Sequence, residues 1–155
     1  MESVRFYDSP LGTVRLVCKN GSLTELAFAE RREAESVSEV DEDTLSDTVR
    51  WLDIYFSGRE PGFLPEMCLR GTDFQQRVWK LLSAIPYGQT RSYGDIAKEL
   101  AEDGRRMSAQ AVGNAVGSNP IAIIIPCHRV IKADGSLGGY AFGPEIKKRL
   151  LELER

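Results

Sequence analysis

The sequence predicts two domains. The first is an α/β N-terminal domain with a small antiparallel sheet, residues 1–68. The second is a mainly helical C-terminal domain with a helix-turn-helix, residues 69–155. Three observations predict this. Short β-type runs separated by turn signals fill the first 29 residues. A Gly- and Pro-rich stretch, Gly58 to Pro65, follows one amphipathic helix and reads as a linker. Beyond it, two short helical segments with a polar loop between them suggest helix-turn-helix geometry.

The elements follow in order. Val4 to Tyr7 and Val14 to Cys18 read as strands of a hairpin, with Ser9-Pro10-Leu11-Gly12 as the turn. Leu23 to Ala29 reads as a third strand after the turn at Asn20-Gly21. Residues 30–43 are rich in Glu, Arg, Ser and Asp and lack periodicity, which predicts a mobile, solvated loop or a weak helix. From Thr44 to Phe56, Leu45, Val49, Leu52 and Phe56 are spaced 4, 3 and 4 apart, the pattern of an amphipathic helix. In the second half, Thr72 caps a helix through Val78, Leu81 and Leu82 that ends before Pro86. Ser92 caps a helix from Tyr93 to about Ala101, and Ser108 caps one that runs to about Gly117, where Asn119-Pro120 stops it. The apolar run Ile121 to Ile125 leads into Pro126-Cys127-His128-Arg129-Val130. A glycine-rich loop, Gly135 to Gly143, precedes a last helix from Glu145 to Glu154 with Ile146, Leu150 and Leu153 on one face.

Composition narrows the function. At 42% hydrophobic and 28% charged residues the chain reads as a soluble globular protein. No run approaches the roughly 18 apolar residues of a membrane span, and the start lacks the features of a secretory signal, so a cytoplasmic protein is expected. Three cysteines, one histidine and no Cys-x-x-Cys pair argue against a disulfide scaffold and offer no zinc site. The net charge of −3 hides an asymmetry. Residues 1–69 hold 7 basic and 14 acidic side chains, a net of −7, while residues 70–155 hold 13 and 9, a net of +4. Either ordinary scatter or a polyanion met by the second half alone would give that split.

Two features carry chemistry. Cys127 ends an apolar run beside the chain's only histidine. A cysteine is a strong nucleophile only as thiolate, and His128 can serve as base while Arg129 adds positive charge. Adjacent residues rarely face each other in regular structure, so the pair needs a bridging water or a tight turn after Pro126. A buried structural cysteine beside a satisfied histidine is the other reading. The second feature is the helix from Ser108, which carries Gly113 and Gly117 at a cost of roughly 1 kcal/mol each. Either tight packing inside the domain or close approach to an outside surface would explain them.

The segment Ile123-Ile124-Ile125-Pro126-Cys127-His128-Arg129-Val130-Ile131 strongly resembles the active-site segment of the O6-alkylguanine-DNA alkyltransferases. Gly71-Thr72-x-Phe74-Gln75-x-x-Val78-Trp79, Ile85-Pro86-Tyr87-Gly88-x-Thr90-x-Ser92-Tyr93, Ala111-Val112-Gly113, Asn119-Pro120, Gly139-Tyr140 and Lys147-x-x-Leu150-Leu151-x-x-Glu154 resemble further motifs of that family, in order, across residues 71–154. Ser9-Pro10-Leu11-Gly12 resembles the start of its N-terminal domain.

The resemblance implies a winged-helix-like second domain and a stoichiometric, irreversible transfer of an alkyl group from O6 of guanine to Cys127, with O4 of thymine as a further target. The partner is double-stranded DNA, met through its minor groove with the alkylated base flipped out; no cofactor, metal or membrane is implied, and the protein acts as a monomer. His128 deprotonates Cys127 through a water, and Glu154 orients His128. Asn119 pins the turn before the active-site segment, Tyr140 and the Ala141 N–H bind the guanine, and the Val130 carbonyl takes its amino group. Tyr93 crowds the target phosphate, and Ala111 and Gly113 form the small face of the recognition helix. That helix must enter a groove about 6 Å wide, and Arg106 and Arg129 add basic contacts. Ala122 and Phe142 are expected at the pocket rim.

Two departures bear on base flipping. Gln110 stands where the family commonly has an arginine that enters the base stack, and a longer loop before it carries Arg105 and Arg106. The metal site of some members' N-terminal domains is not matched. Three rivals differ in what they require. Alkyltransferase-like proteins bind the lesion without repairing it and lack the acceptor cysteine. A helix-turn-helix transcription factor needs neither Cys127 nor Glu154, and a cysteine hydrolase built on Cys127, His128 and Glu154 resembles nothing here.

Overall fold

The computed structural model describes residues 2–101 and 108–155. The chain forms two compact units, Met1–Arg70 and Gly71–Arg155.

In the first unit, strands β1 (Glu2–Ser9), β2 (Gly12–Lys19) and β3 (Ser22–Phe28) form an antiparallel sheet in that order. Asn20 and Gly21 both take positive φ, 53° and 83°, between the paired Lys19 and Ser22. That is the backbone of a tight hairpin turn, and it explains the Asn-Gly pair. Helix α1 (Glu42–Phe56) lies against the sheet and buries Leu45, Trp51, Leu52 and Tyr55. Its buried face includes Thr44 and Thr48 and leaves Val49 and Phe56 half-buried, so the core stripe is rotated from the one expected.

Residues 30–43 are mostly exposed, as expected, and end in a short helical turn and the start of α1, but two points tie them to the sheet. Val4 and Ser36 exchange both backbone hydrogen bonds, at 2.8 and 3.1 Å. A short 3₁₀ turn, Glu39–Asp41, then buries the Asp41 carboxylate completely. It accepts hydrogen bonds from the Ser3 hydroxyl at 2.5 Å, the Gly21 N–H at 2.7 Å and the Ser38 hydroxyl at 2.9 Å. Those donors offset the cost of burying a charge. Past the expected linker the chain returns to the sheet, where Leu23 bonds Glu66 at 2.7 Å and Cys68 at 2.9 Å.

The second unit contains α2 (Asp73–Ser83), β4 (Arg91–Ser92), α3 (Tyr93–Ala101), α4 (Ala109–Gly117), β5 (Val130–Ile131) and α5 (Pro144–Leu153). The expected caps are in place. Thr72 and Gln75 form a reciprocal capping box, Ser92 and Asp95 bond each other's backbone N–H, and Ser108 accepts from the Ala111 N–H. Helix α4 packs on α2 and α3, and the Trp79 indole donates to the Ala115 carbonyl at 2.9 Å. Residues 102–107, with Arg105 and Arg106, lie outside the described residues. Strands β4 and β5 pair in parallel, Arg91 with Val130 and Ser92 with Ile131, which sets the start of α3 beside the cysteine segment.

Candidate active site

The apolar run before Cys127 is buried from Ile121 to Ile125 but is not a strand. Ile124 N–H bonds the Ala122 carbonyl at 2.7 Å around Ile123, whose φ is 69°. This is a tight three-residue turn of the strained hand, and a β-branched residue there is a backbone outlier. A second such turn, of the relaxed hand, closes at Pro126 (φ −82°, ψ 65°), where Cys127 N–H meets the Ile125 carbonyl at 2.8 Å. Asn119 braces both turns. Its Nδ2 donates to the Ile125 carbonyl at 2.7 Å, and its Oδ1 accepts from the Ile121 N–H at 3.0 Å. Cys127, His128 and Arg129 then form one 3₁₀ turn. The chain after Pro126 is therefore a tight turn, one of the two arrangements expected for the Cys-His pair, the other being a bridging water.

Cys127 lies on the wall of a pocket of about 540 Å³, within the usual range for small-molecule sites. Tyr93, Asn119, Lys132, Tyr140 and Phe142 share that wall with the glycines of α4. Burial pushes the Cys127 thiol up, while a hydrogen bond from Asn119 and the charge of Lys147 pull it back. The Tyr140 hydroxyl is buried without a hydrogen-bond partner among the described residues, and its ring meets Phe142 edge-on. A buried, unsatisfied hydroxyl in a pocket wall is an available partner for a bound group.

Behind Cys127 sits a buried polar cluster. His128 Nε2 and Glu154 Oε2 are 2.6 Å apart, and both residues are almost wholly shielded from solvent. Burial holds the imidazole below its ordinary value, against the pull of Glu154, so it is neutral near pH 7. A neutral ring that donates from Nε2 carries its lone pair on Nδ1. Glu154 also accepts from Arg129 Nε at 2.8 Å and Nη2 at 3.2 Å, and from the Gly88 N–H at 3.1 Å. Gly88 has φ 79°, and a Cβ there would stand 3.0 Å from the Glu154 carbonyl oxygen, so only glycine suits this approach.

Several expected positions are corrected. Arg129 is turned inward and 8% exposed; it bonds Glu154 and the Ile85 carbonyl and is not placed to meet DNA. The Val130 carbonyl accepts from Lys147 Nζ at 2.6 Å, which leaves its second lone pair for a further donor. Ala122 is buried and does not line the pocket, whereas Phe142 does. Ala141 lines it as well. On α5 Leu150 is buried, Ile146 and Leu153 of the same expected face are half-buried, and Lys147 and the C-cap Glu154 are buried as well. Tyr93 stands in the pocket wall, its hydroxyl 3.4 Å from the Gly139 carbonyl.

Lys147 has no role in the sequence reading. Wholly buried, it donates to the carbonyls of Val130 and Leu137 at 2.6 Å and of Gly139 at 3.0 Å. Burial lowers its ammonium to about 8, against the pull of Cys127. Its spacing from Leu150 and Glu154, three and seven residues, was the available signal, because it puts all three on one helical face.

Helix α4 settles the question of its glycines. A Cβ on Gly113 or Gly117 would meet nothing within 4 Å among the described residues, so packing against them does not call for either glycine. Both face the pocket and the open surface around it, and Gln110 is exposed in the first turn of the same helix.

Comparison with known proteins points to one family. Residues 4–63 match the family model described as 6-O-methylguanine DNA methyltransferase, ribonuclease-like domain, and residues 73–155 match that described as 6-O-methylguanine DNA methyltransferase, DNA binding domain. A methylated-DNA–protein-cysteine methyltransferase of Mycobacterium tuberculosis is 49% identical over 153 residues, covering 97% of this chain and 91% of its own. One from Methanosarcina acetivorans is 41% identical over 151 residues, covering 96% of this chain and 95% of its own. A crystal structure of M. tuberculosis OGT in complex with DNA aligns with a TM-score of 0.81 at 47% identity, over 97% of this chain and 91% of that one.

Proposed function

The chain belongs to the 6-O-methylguanine DNA methyltransferase family, and on that premise we propose that it repairs DNA by moving an alkyl group from O6 of guanine to Cys127, once per molecule. The observation that carries this is Cys127 on the wall of a pocket, with His128 next to it in the same 3₁₀ turn and paired to the buried Glu154 at 2.6 Å.

The steps follow from the site. Glu154 holds the His128 ring through Nε2, which leaves Nδ1 to take the thiol proton through an intervening water. The Lys147 charge and the Asn119 hydrogen bond favour the thiolate that burial opposes. Sγ attacks the alkyl carbon, the C–O6 bond breaks with its electron pair on O6, and the guanine anion takes up a proton. The unsatisfied Tyr140 hydroxyl is the group in the wall able to donate to that guanine. The thioether is stable, so the protein is consumed.

O6 is inaccessible within a stacked duplex, so the base enters the pocket flipped out. The open Ala and Gly face of α4, which borders the pocket, suits entry into the minor groove. Gln110, exposed in the first turn of that helix, is the wedge in this reading, filling the gap left by the base. The reading includes action as a monomer in the cytoplasm. No helix among the described residues is long and apolar enough to cross a membrane.

The test is incubation with an O6-methylguanine duplex followed by intact-mass and peptide analysis. One methyl on Cys127, and loss of further activity, is the expected result. Sustained turnover, or a methyl confined to Cys18 or Cys68, would overturn it.

A further inference from the structure

The pocket that holds Cys127 is charged with one sign. Among the described residues no carboxylate lines it, while Lys132 stands in its wall and the buried Lys147 ammonium lies behind. Lys132 is exposed and well anchored. It follows β5 directly and opens a turn closed by Lys132 N–H to the Ser136 carbonyl at 2.9 Å and Gly135 N–H to the Lys132 carbonyl at 3.0 Å. Its stem lies over Gly138, where a Cβ would be 3.5 Å from Lys132 Cγ and 3.1 Å from the Tyr93 ring. The nearest acid along the chain, Asp134, is not a pocket-lining residue; it accepts from the Ser136 N–H at 2.9 Å and hydroxyl at 2.6 Å, and the Lys132 charge also reaches it and helps hold its carboxyl below the usual range. The rest of the pocket wall is neutral apart from the thiol and the tyrosines, and mostly apolar.

A cation in the wall of such a pocket discriminates between adducts by charge. Methyl carries no charge for it to meet. A longer group keeps its attacked carbon at Sγ and extends its far end toward the opening. Duplex phosphates repel an anionic far end, and a nearby ammonium offsets that repulsion. We propose that Lys132 is a specificity residue that favours O6 adducts ending in a carboxylate, of the carboxymethyl class, over neutral adducts of the same size.

The proposal rests on the alkyl-transfer reading above. In the transfer Sγ bonds the methylene carbon, the C–O6 bond breaks with its electrons on O6, and guanine takes a proton. Cys127 is left S-carboxymethylated.

The experiment measures single-turnover alkylation of Cys127 by mass spectrometry. Duplexes carry O6-carboxymethylguanine or its neutral isostere O6-carbamoylmethylguanine, with O6-methylguanine as a control. The readout is the ratio of the first two rates, compared between wild type and Lys132→Gln so that intrinsic reactivity cancels. The ratio should fall about fivefold in Lys132→Gln, as loss of a partly exposed ion pair allows. It should fall with added salt in the wild type and recover in Lys132→Arg. A ratio unmoved by Lys132→Gln, or both rates lowered in equal proportion, overturns the proposal; the second result makes Lys132 a phosphate contact. Wild type that alkylates Cys127 from none of the three duplexes overturns the transfer reading itself.

Discussion

Lys147 Nζ donates to the Val130 carbonyl at 2.6 Å, and the same ammonium also bonds the carbonyls of Leu137 and Gly139. One buried cation thus ties the strand after the cysteine turn to the loop that carries Tyr140, and its charge also favours the Cys127 thiolate. Lys147→Met should move the pH profile of Cys127 alkylation, read with iodoacetamide, to higher pH. A shift of one pH unit would cut the thiolate fraction, and so transfer at pH 7, by about tenfold. An unmoved profile would leave Lys147 a loop anchor only.

Glu154 serves His128, Arg129 and Gly88 together. Glu154→Gln keeps the size but loses the charge, and should slow methyl transfer by about 100-fold or more while DNA affinity stays near wild type. Glu154→Ala leaves the Arg129 guanidinium buried without its counter-charge and should cost about 3–5 kcal/mol of stability. Thermal melts separate the two effects.

His128 gives a pH test with a definite sign. Its folded-state value is lowered from 6.5 by burial, so the unfolded chain binds the proton first as pH falls. The neutral ring therefore contributes stability above about pH 6.5 that is lost as pH falls through the folded value. Urea titrations of wild type and His128→Gln should show a shallower acid loss in the variant. Equal slopes would mean that His128 is already charged in the native state.

The open face of α4 separates stability from binding. Gly113→Ala puts a methyl into free space and should stabilise the protein by about 1 kcal/mol through helix propensity. Gly113→Phe should weaken duplex binding by about tenfold or more, the equivalent of 1.4 kcal/mol. Full binding by Gly113→Phe would move the DNA interface off this helix.

Gln110 is exposed at the start of α4. A glutamine is a shorter, uncharged wedge, and flipping a base costs a few kcal/mol. Gln110→Arg should therefore speed repair in duplex DNA, by about fivefold for 1 kcal/mol, and barely change reaction with free O6-alkylguanine base. Arg106→Ala is expected to harm duplex repair more than Gln110→Ala; the reverse order would make the glutamine the working wedge.

The sequence by itself determined the two-part architecture, the hairpin turns and the helix caps, because each depends on neighbours in the chain. Cys127 is marked out by the family resemblance of its segment, since local chemistry alone leaves a structural cysteine equally open. Asn20-Gly21, Thr72 with Gln75, and Ser108 act over two or three residues, and local chemistry suffices to read them. Tertiary structure alone decided which charged groups turn inward. An apolar count on α5 selects Ile146, Leu150 and Leu153; Leu150 is buried, but so are Lys147 and Glu154, which no apolar count selects. Their partners, the carbonyls of Val130, Leu137 and Gly139 and the side chains of His128 and Arg129, lie 8 to 26 residues away. Asp41 shows the same in the first unit: its donors Ser3 and Gly21 lie 38 and 20 residues distant. A buried charge is tolerated only where the fold supplies its counter-groups, and chain spacing holds no record of groups brought together across such distances.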